Sequence, residues 1–95
     1  MIRGFVLFES EPDAEHYRRH LDDLVSKVDC KAFRHGKIFG SPLGEPKYRQ
    51  YAEFEWDDME SFKKAVNSEE FAATGADAMS MGVPFDVHFA EIAEE

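Results

Sequence analysis

The sequence predicts an α+β domain of order β-α-β-β-α-β: a four-stranded antiparallel sheet with its helices on one face and the second helix split in two. Three features carry that prediction. Four short segments rich in β-branched and aromatic residues alternate with a period of two; two longer segments repeat apolar residues every three or four positions; and clusters of Gly, Pro, Asp and Ser stand at the junctions.

The first strand is "IRGFVLF" (Ile2 to Phe8), with Ile2, Val6 and Phe8 on one face and Phe5 and Leu7 on the other, so both faces need cover. Pro12 and Asp13 then open a helix whose apolar residues Ala14, Tyr17, Leu21, Leu24, Val25 and Val28 recur at three- and four-residue steps. "KAFRHGKIF" (Lys31 to Phe39) sets Phe33, His35, Lys37 and Phe39 against Ala32, Arg34, Gly36 and Ile38, and the glycines and prolines of "GSPLGEP" end it in a loop. "YRQYAEFEW" (Tyr48 to Trp56) alternates most cleanly, with Tyr48, Ala52, Phe54 and Trp56 opposite Arg49, Tyr51, Glu53 and Glu55.

Asp57 and Glu60 have capping-box spacing and open a second helix that carries Met59, Phe62, Ala65 and Val66 on one face. Asn67 and Ser68 break it and cap a third, short helix that turns Phe71, Ala72, Gly75, Ala78 and Met79 towards the core. "GVP" ends this helix, and "FDVHFAEI" (Phe85 to Ile92) is the last strand, with Phe85, Val87 and Phe89 opposite His88, Ala90 and Ile92. This order is the ferredoxin-like arrangement. Its strands are apolar on both faces, whereas its helices cover one. The uncovered face calls for a second copy, and a homodimer joined through the sheets is the expected assembly.

A chain of 95 residues, 43% hydrophobic and 14% aromatic, reads as a single folded domain over residues 1–95. A formal charge of −9 repels phosphate backbones and anionic bilayers, so neither nucleic acid nor a membrane is an expected partner. Most acidic residues are spread along the chain, with a small cluster in the final "EIAEE". The lone Cys30 has no intrachain partner, no apolar run approaches the ~20 residues of a membrane helix, and the first ten residues do not form a signal-peptide core. A cytoplasmic protein is expected.

The stretch from Tyr48 to Phe71, "YRQYAEFEWDDMESFKKAVNSEEF", and the first helix "HYRRHLDDLVSKV" resemble the EthD-like branch of the dimeric α+β barrel superfamily, over nearly the whole chain. The resemblance implies two subunits joined sheet to sheet, each with a small-molecule cavity between sheet and helices. It also implies the strand order 4-1-3-2, which separates His35 from His88. In many relatives the first helix carries a His three residues before a Leu. With Leu24 as that Leu, Leu21 stands where the histidine belongs and His20 falls one residue early. Either a local shift of the helix brings His20 to the pocket or the usual histidine is missing.

His20 lies at the edge of the apolar stripe between Tyr17 and Leu24, and His16 lies farther towards the polar side. An imidazole with an ordinary pKa near ~6.5 can act as acid and base at neutral pH, so His20 is the candidate catalytic residue. Its structural alternative is a half-exposed histidine paired with Asp13 or Asp23. The i, i+4 pair His16 and His20 has a metal-ligand spacing but neither an HExxH motif nor an evident third ligand, so no metal site is expected. Tyr17, Leu21, Leu24 and Trp56 are candidate ligand-pocket residues. Arg49, Tyr51 and Glu53 form a polar face that suits a dimer seam.

Three functions fit these observations. The first is a cofactor-independent enzyme or enzyme component acting by acid/base chemistry on a small apolar, aromatic or polyketide-like substrate, with His20 as proton shuttle. The second is a non-catalytic homodimer that binds a small molecule or supports a neighbouring enzyme, consistent with the lack of a nucleotide, metal or nucleophile motif. The third, drawn from the resemblance alone, is a haem-handling or monooxygenase-like relative with a helix histidine as axial ligand. The chain's own motifs call for no cofactor.

Overall fold

A computed structural model describes residues 1–93; the last two residues of the "EIAEE" cluster lie outside it. Strands β1 (Ile2–Phe8), β2 (Ala32–Lys37), β3 (Gln50–Trp56) and β4 (Phe85–Glu91) form one sheet in the order β2-β3-β1-β4. All three pairings are antiparallel. β2 and β4 are the two edges, so His35 and His88 are far apart, as the strand order implied.

The register follows the alternation in the sequence. Ile2 faces Trp56 and Glu91, Gly4 faces Phe54 and Phe89, and Val6 faces Ala52 and Val87. One face therefore gathers Ile2, Phe8, Ala52, Phe54 and Trp56, which are buried under the helices. The other presents Phe5, Leu7 and Tyr51 among the charges of Arg3, Arg34, Glu53 and Glu55. On that open face Arg3 pairs with Glu53 at 3.2 Å and Glu55 at 3.4 Å, and Arg34 with the same two carboxylates at 3.3 and 3.6 Å. Gly36 admits the ring of Tyr51, since a Cβ there would lie 2.9 Å from Tyr51 Cε1.

The region expected to be one amphipathic helix has three parts: α1 (Ala14–Arg19), a wider π-helical turn (His20–Leu24) and a 3₁₀ turn (Val25–Lys27). Asp13 caps α1 by accepting from the His16 N–H at 3.0 Å. The π turn is closed by the Val25 N–H, which reaches the carbonyl of His20. In such a turn the hydrogen bond spans five residues, so one more residue fits before the chain returns to the same face. The displacement between His20 and Leu24 noted in the sequence is located here.

α2 (Met59–Val66) starts one residue later than the capping-box spacing suggested, because the Asp58 carboxylate and not that of Asp57 accepts the Ser61 N–H, at 2.8 Å. Ser68 caps α3 (Glu69–Ser80), as expected from the break at Asn67 and Ser68. With 12 residues α3 is the longest helix among the described residues, and it buries Thr74 and Ala78. Ala72 and Met79, expected to face the core, are exposed, Met79 at 75%. β2 ends at Lys37, so Phe39 lies in the following loop and is fully exposed instead of continuing the strand face.

Candidate functional site

His20 is buried, with 7% of its surface exposed, and it occupies the first position of the π turn. Its Nδ1 lies 2.8 Å from Asp77 Oδ2 on α3. His16, one α-helical turn earlier, places Nε2 at 3.1 and 3.2 Å from the two oxygens of the same carboxylate. Neither histidine uses Asp13 or Asp23 as its side-chain partner; the partner comes from a helix distant in sequence. Asp77 thus joins the two histidines and ties the first helical segment to α3.

The geometry sets the protonation pattern. A carboxylate accepts, so each neutral imidazole carries its hydrogen on the nitrogen facing Asp77: Nδ1 in His20 and Nε2 in His16. His20 Nε2 is left with a free lone pair and has no hydrogen-bond partner among the described residues. At Asp77, partial burial pushes the carboxyl pKa up, but the hydrogen bonds and charges of His16 and His20 outweigh this and hold it below its ordinary value. Asp77 is therefore an anion at neutral pH.

His20 also forms part of the wall of a cavity of ≈ 70 Å³ between the sheet and α3. Its walls are otherwise almost wholly apolar, with Val6, Phe8, Phe33 and Phe54 from the sheet and Phe71 and Ala78 from α3. Two lining residues with polar side-chain atoms besides His20 are engaged or enclosed. The Thr74 hydroxyl donates to the Phe71 carbonyl at 2.6 Å. The Tyr17 ring stacks on His20 at 6.1 Å between centroids, and its hydroxyl is buried without a hydrogen-bond partner among the described residues. Burial raises the Tyr17 pKa, and the nearby Gln50 side chain offsets part of that rise without reaching hydrogen-bonding geometry.

Of the residues singled out from the sequence, Tyr17 and His20 meet at this cavity. Leu21 and Leu24 do not line it: Leu21 borders open grooves beside β2, and Leu24 a shallow surface hollow with His16 and Asp77. Trp56 does not line it either. It is 2% exposed, stacked on Phe54 and hydrogen-bonded through its indole N–H to the Asp29 carbonyl at 2.8 Å. Of the proposed seam residues, Tyr51 and Glu53 lie on the open sheet face, while Arg49 precedes β3 and pairs with Glu45 in the loop at 2.8 Å. Asp77 was missed. Its signal was faint: an acidic residue inside "GADAM", a helix that is otherwise apolar or small at that point.

Among the described residues, no group of three or more His, Cys, Asp or Glu is placed to hold a metal ion. No helix among them is long and apolar enough to cross a membrane.

A four-stranded antiparallel sheet, helices on one face and an apolar cavity between the layers define a ferredoxin-like α+β protein. Within that class the chain is similar to EthD family proteins. It is similar to an EthD family protein of Bacillus halodurans, with 27% identity over 98% of this chain and 99% of the other and a TM-score of 0.78. An EthD-like protein of Ralstonia eutropha matches with 20% identity over 99% and 93% of the two chains and a TM-score of 0.73. A dimeric ferredoxin-like protein of unknown function from Jannaschia matches with 15% identity over 96% and 98% and a TM-score of 0.74. No protein-family model and no curated protein matches the chain.

Proposed function

We propose that this chain takes the end of a small, largely apolar, ring-bearing molecule into the cavity beside His20 and moves a proton on it. The observation that carries this proposal is a buried imidazole at an apolar cavity, its Nδ1 held 2.8 Å from a carboxylate and its Nε2 free. Nε2 takes a proton from an acidic C–H or O–H of the ligand, and the imidazolium that forms is stabilised by the Asp77 anion. The same Nε2–H returns the proton to another ligand atom or to water. Tyr17 supports the His20 ring by stacking, and no cofactor is needed to balance the step.

Deuterium exchange into a panel of phenols, enolisable aryl ketones and β-diketones, read by mass spectrometry in D₂O, tests this function. The wild type is expected to accelerate exchange for at least one compound, and His20→Gln to lower that rate by about 10²–10⁴-fold. Exchange at the buffer rate for every compound would remove the acid/base assignment.

A second function, binding without turnover, has its own support. Thr74 spends its hydroxyl hydrogen on Phe71, so of the hydroxyls on the lining residues only that of Tyr17 is left to stabilise a developing oxyanion. Thermal stabilisation by a panel compound without exchange would select it.

We further infer a homodimer in which two open sheet faces meet, with Tyr51 and Glu53 in the seam and Arg49 at its margin. Phe5 and Leu7 are half-buried on that face and have no helix over them, and the Jannaschia relative is described as dimeric. Leu7→Arg is expected to leave the fold intact and convert a dimer to a monomer in analytical ultracentrifugation. A Leu7→Arg dimer as tight as the wild type would place the contact elsewhere.

A further inference from the structure

Gly75 is a glycine that the backbone and the packing of the fold do not require. It lies near the middle of α3, where a helix loses stability relative to alanine. Its φ is not positive, and a Cβ built on it meets no atom within 4 Å. Alanine would fit this position and suit the helix better. The residue is nevertheless part of the cavity wall, and with Val87 it is one of the lining residues open to solvent. Those two exposed residues mark the mouth, between α3 and the edge strand β4.

The surroundings of the mouth are apolar. Met79 follows Gly75 by one helical turn on α3 and is 75% exposed; Phe89 follows Val87 on the same face of β4 and is 48% exposed. The cavity volume of ≈ 70 Å³ is about half of the ~150 Å³ that holds a benzene ring, so a ring-bearing ligand does not fit wholly inside it and the remainder must lie at the mouth beside Gly75.

We propose that Gly75 is the specificity-determining residue of the entrance: its missing side chain leaves the passage through which a flat apolar ligand reaches His20. This rests on the cavity being a ligand site, as proposed above. A methyl group at position 75 narrows the passage and a leucine side chain blocks it. Both substitutions favour the helix, so loss of uptake and loss of stability move in opposite directions.

The test compares wild type, Gly75→Ala, Gly75→Leu and the control Ala76→Leu, the last an exposed neighbour outside the cavity wall. Calorimetric titration with benzene and with 1-naphthol measures uptake, the ¹⁵N shifts of the His20 imidazole report whether the probe reaches it, and thermal melts report folding. Gly75→Leu is expected to weaken 1-naphthol binding by at least about tenfold, with a melting temperature equal to or above that of the wild type. Gly75→Ala, which preserves the fold most safely, is expected to weaken 1-naphthol more than benzene, and Ala76→Leu to change neither. Wild-type affinity for 1-naphthol in Gly75→Leu, with the His20 shifts still perturbed, would overturn the entrance role while leaving the ligand site standing. A wild type that takes up neither probe would remove the ligand site and the entrance with it.

Discussion

Trp56→Ala is expected to cost about 3–5 kcal/mol, the range for truncating a large buried aromatic side chain. Trp56 is 2% exposed at the end of β3. Its ring stacks on Phe54 with centroids 5.6 Å apart and planes 12° from parallel, and meets Phe62 edge-on at 5.3 Å. Gly4 on β1 makes room for it, since a Cβ there would come within 3.3 Å of the indole. The indole N–H also fixes the Asp29 carbonyl in the segment leading from the first helical region into β2. One substitution therefore loosens the sheet, α2 and the connection before β2 together. Set against a total stability of about 5–15 kcal/mol for an ordinary domain, the variant should lose roughly a fifth or more of its stability. Urea unfolding followed by far-ultraviolet circular dichroism measures it. Trp56→Phe, which keeps most of the packing and loses the hydrogen bond, should cost roughly 1–2 kcal/mol. If Trp56→Ala cost less than about 1 kcal/mol, Trp56 would not be a core residue and its assignment to a ligand-pocket wall would have to be reopened.

The strands were legible because a period of two leaves little choice of face: Ala52, Phe54 and Trp56 point to one side of β3, and all three are buried there. The split after Val66 was legible because Asn67 and Ser68 cannot continue a helix as well as they cap one. The one-residue mismatch between His20 and Leu24 was also visible, whereas the π turn that spans these two residues depends on backbone geometry that periodicity does not encode. Pairing partners were harder. Asp13 and Asp23 are close to the histidines in sequence, whereas Asp77 reaches them only because α3 packs on the π turn. Trp56 was a pocket candidate because alternation alone does not separate a pocket wall from a core, and what separates the two is its place relative to the His20 cavity, a tertiary quantity. The difference between Asp57 and Asp58 as cap turns on which of two adjacent carboxylates faces the Ser61 N–H.

Asp77→Asn is expected to lower proton transfer at His20 by about 10²–10⁴-fold while leaving ligand uptake nearly unchanged. Asp77 only accepts hydrogen bonds, so it fixes the hydrogen of His20 on Nδ1 and leaves the lone pair on Nε2. An asparagine has one accepting oxygen for two histidines. Where its NH₂ group meets His20, the nitrogen there must accept, the hydrogen moves to Nε2, and the lone pair of Nε2 is lost. The variant also lacks the negative charge that stabilises an imidazolium in a buried site. Asp77 never touches the ligand in this scheme; it is a positioning residue, and the readout that separates this from a merely structural role is the tautomer. ¹⁵N spectra of the imidazoles should show His20 protonated at Nδ1 in the wild type and shifted towards Nε2 protonation in Asp77→Asn, with exchange falling in step. Asp77→Glu, which restores an acceptor and a charge on a longer stem, should recover part of both. A reversed tautomer with unchanged exchange would show that His20 Nε2 is not the base; an unchanged tautomer with lost exchange would shift the role of Asp77 from orienting the ring to stabilising its charge.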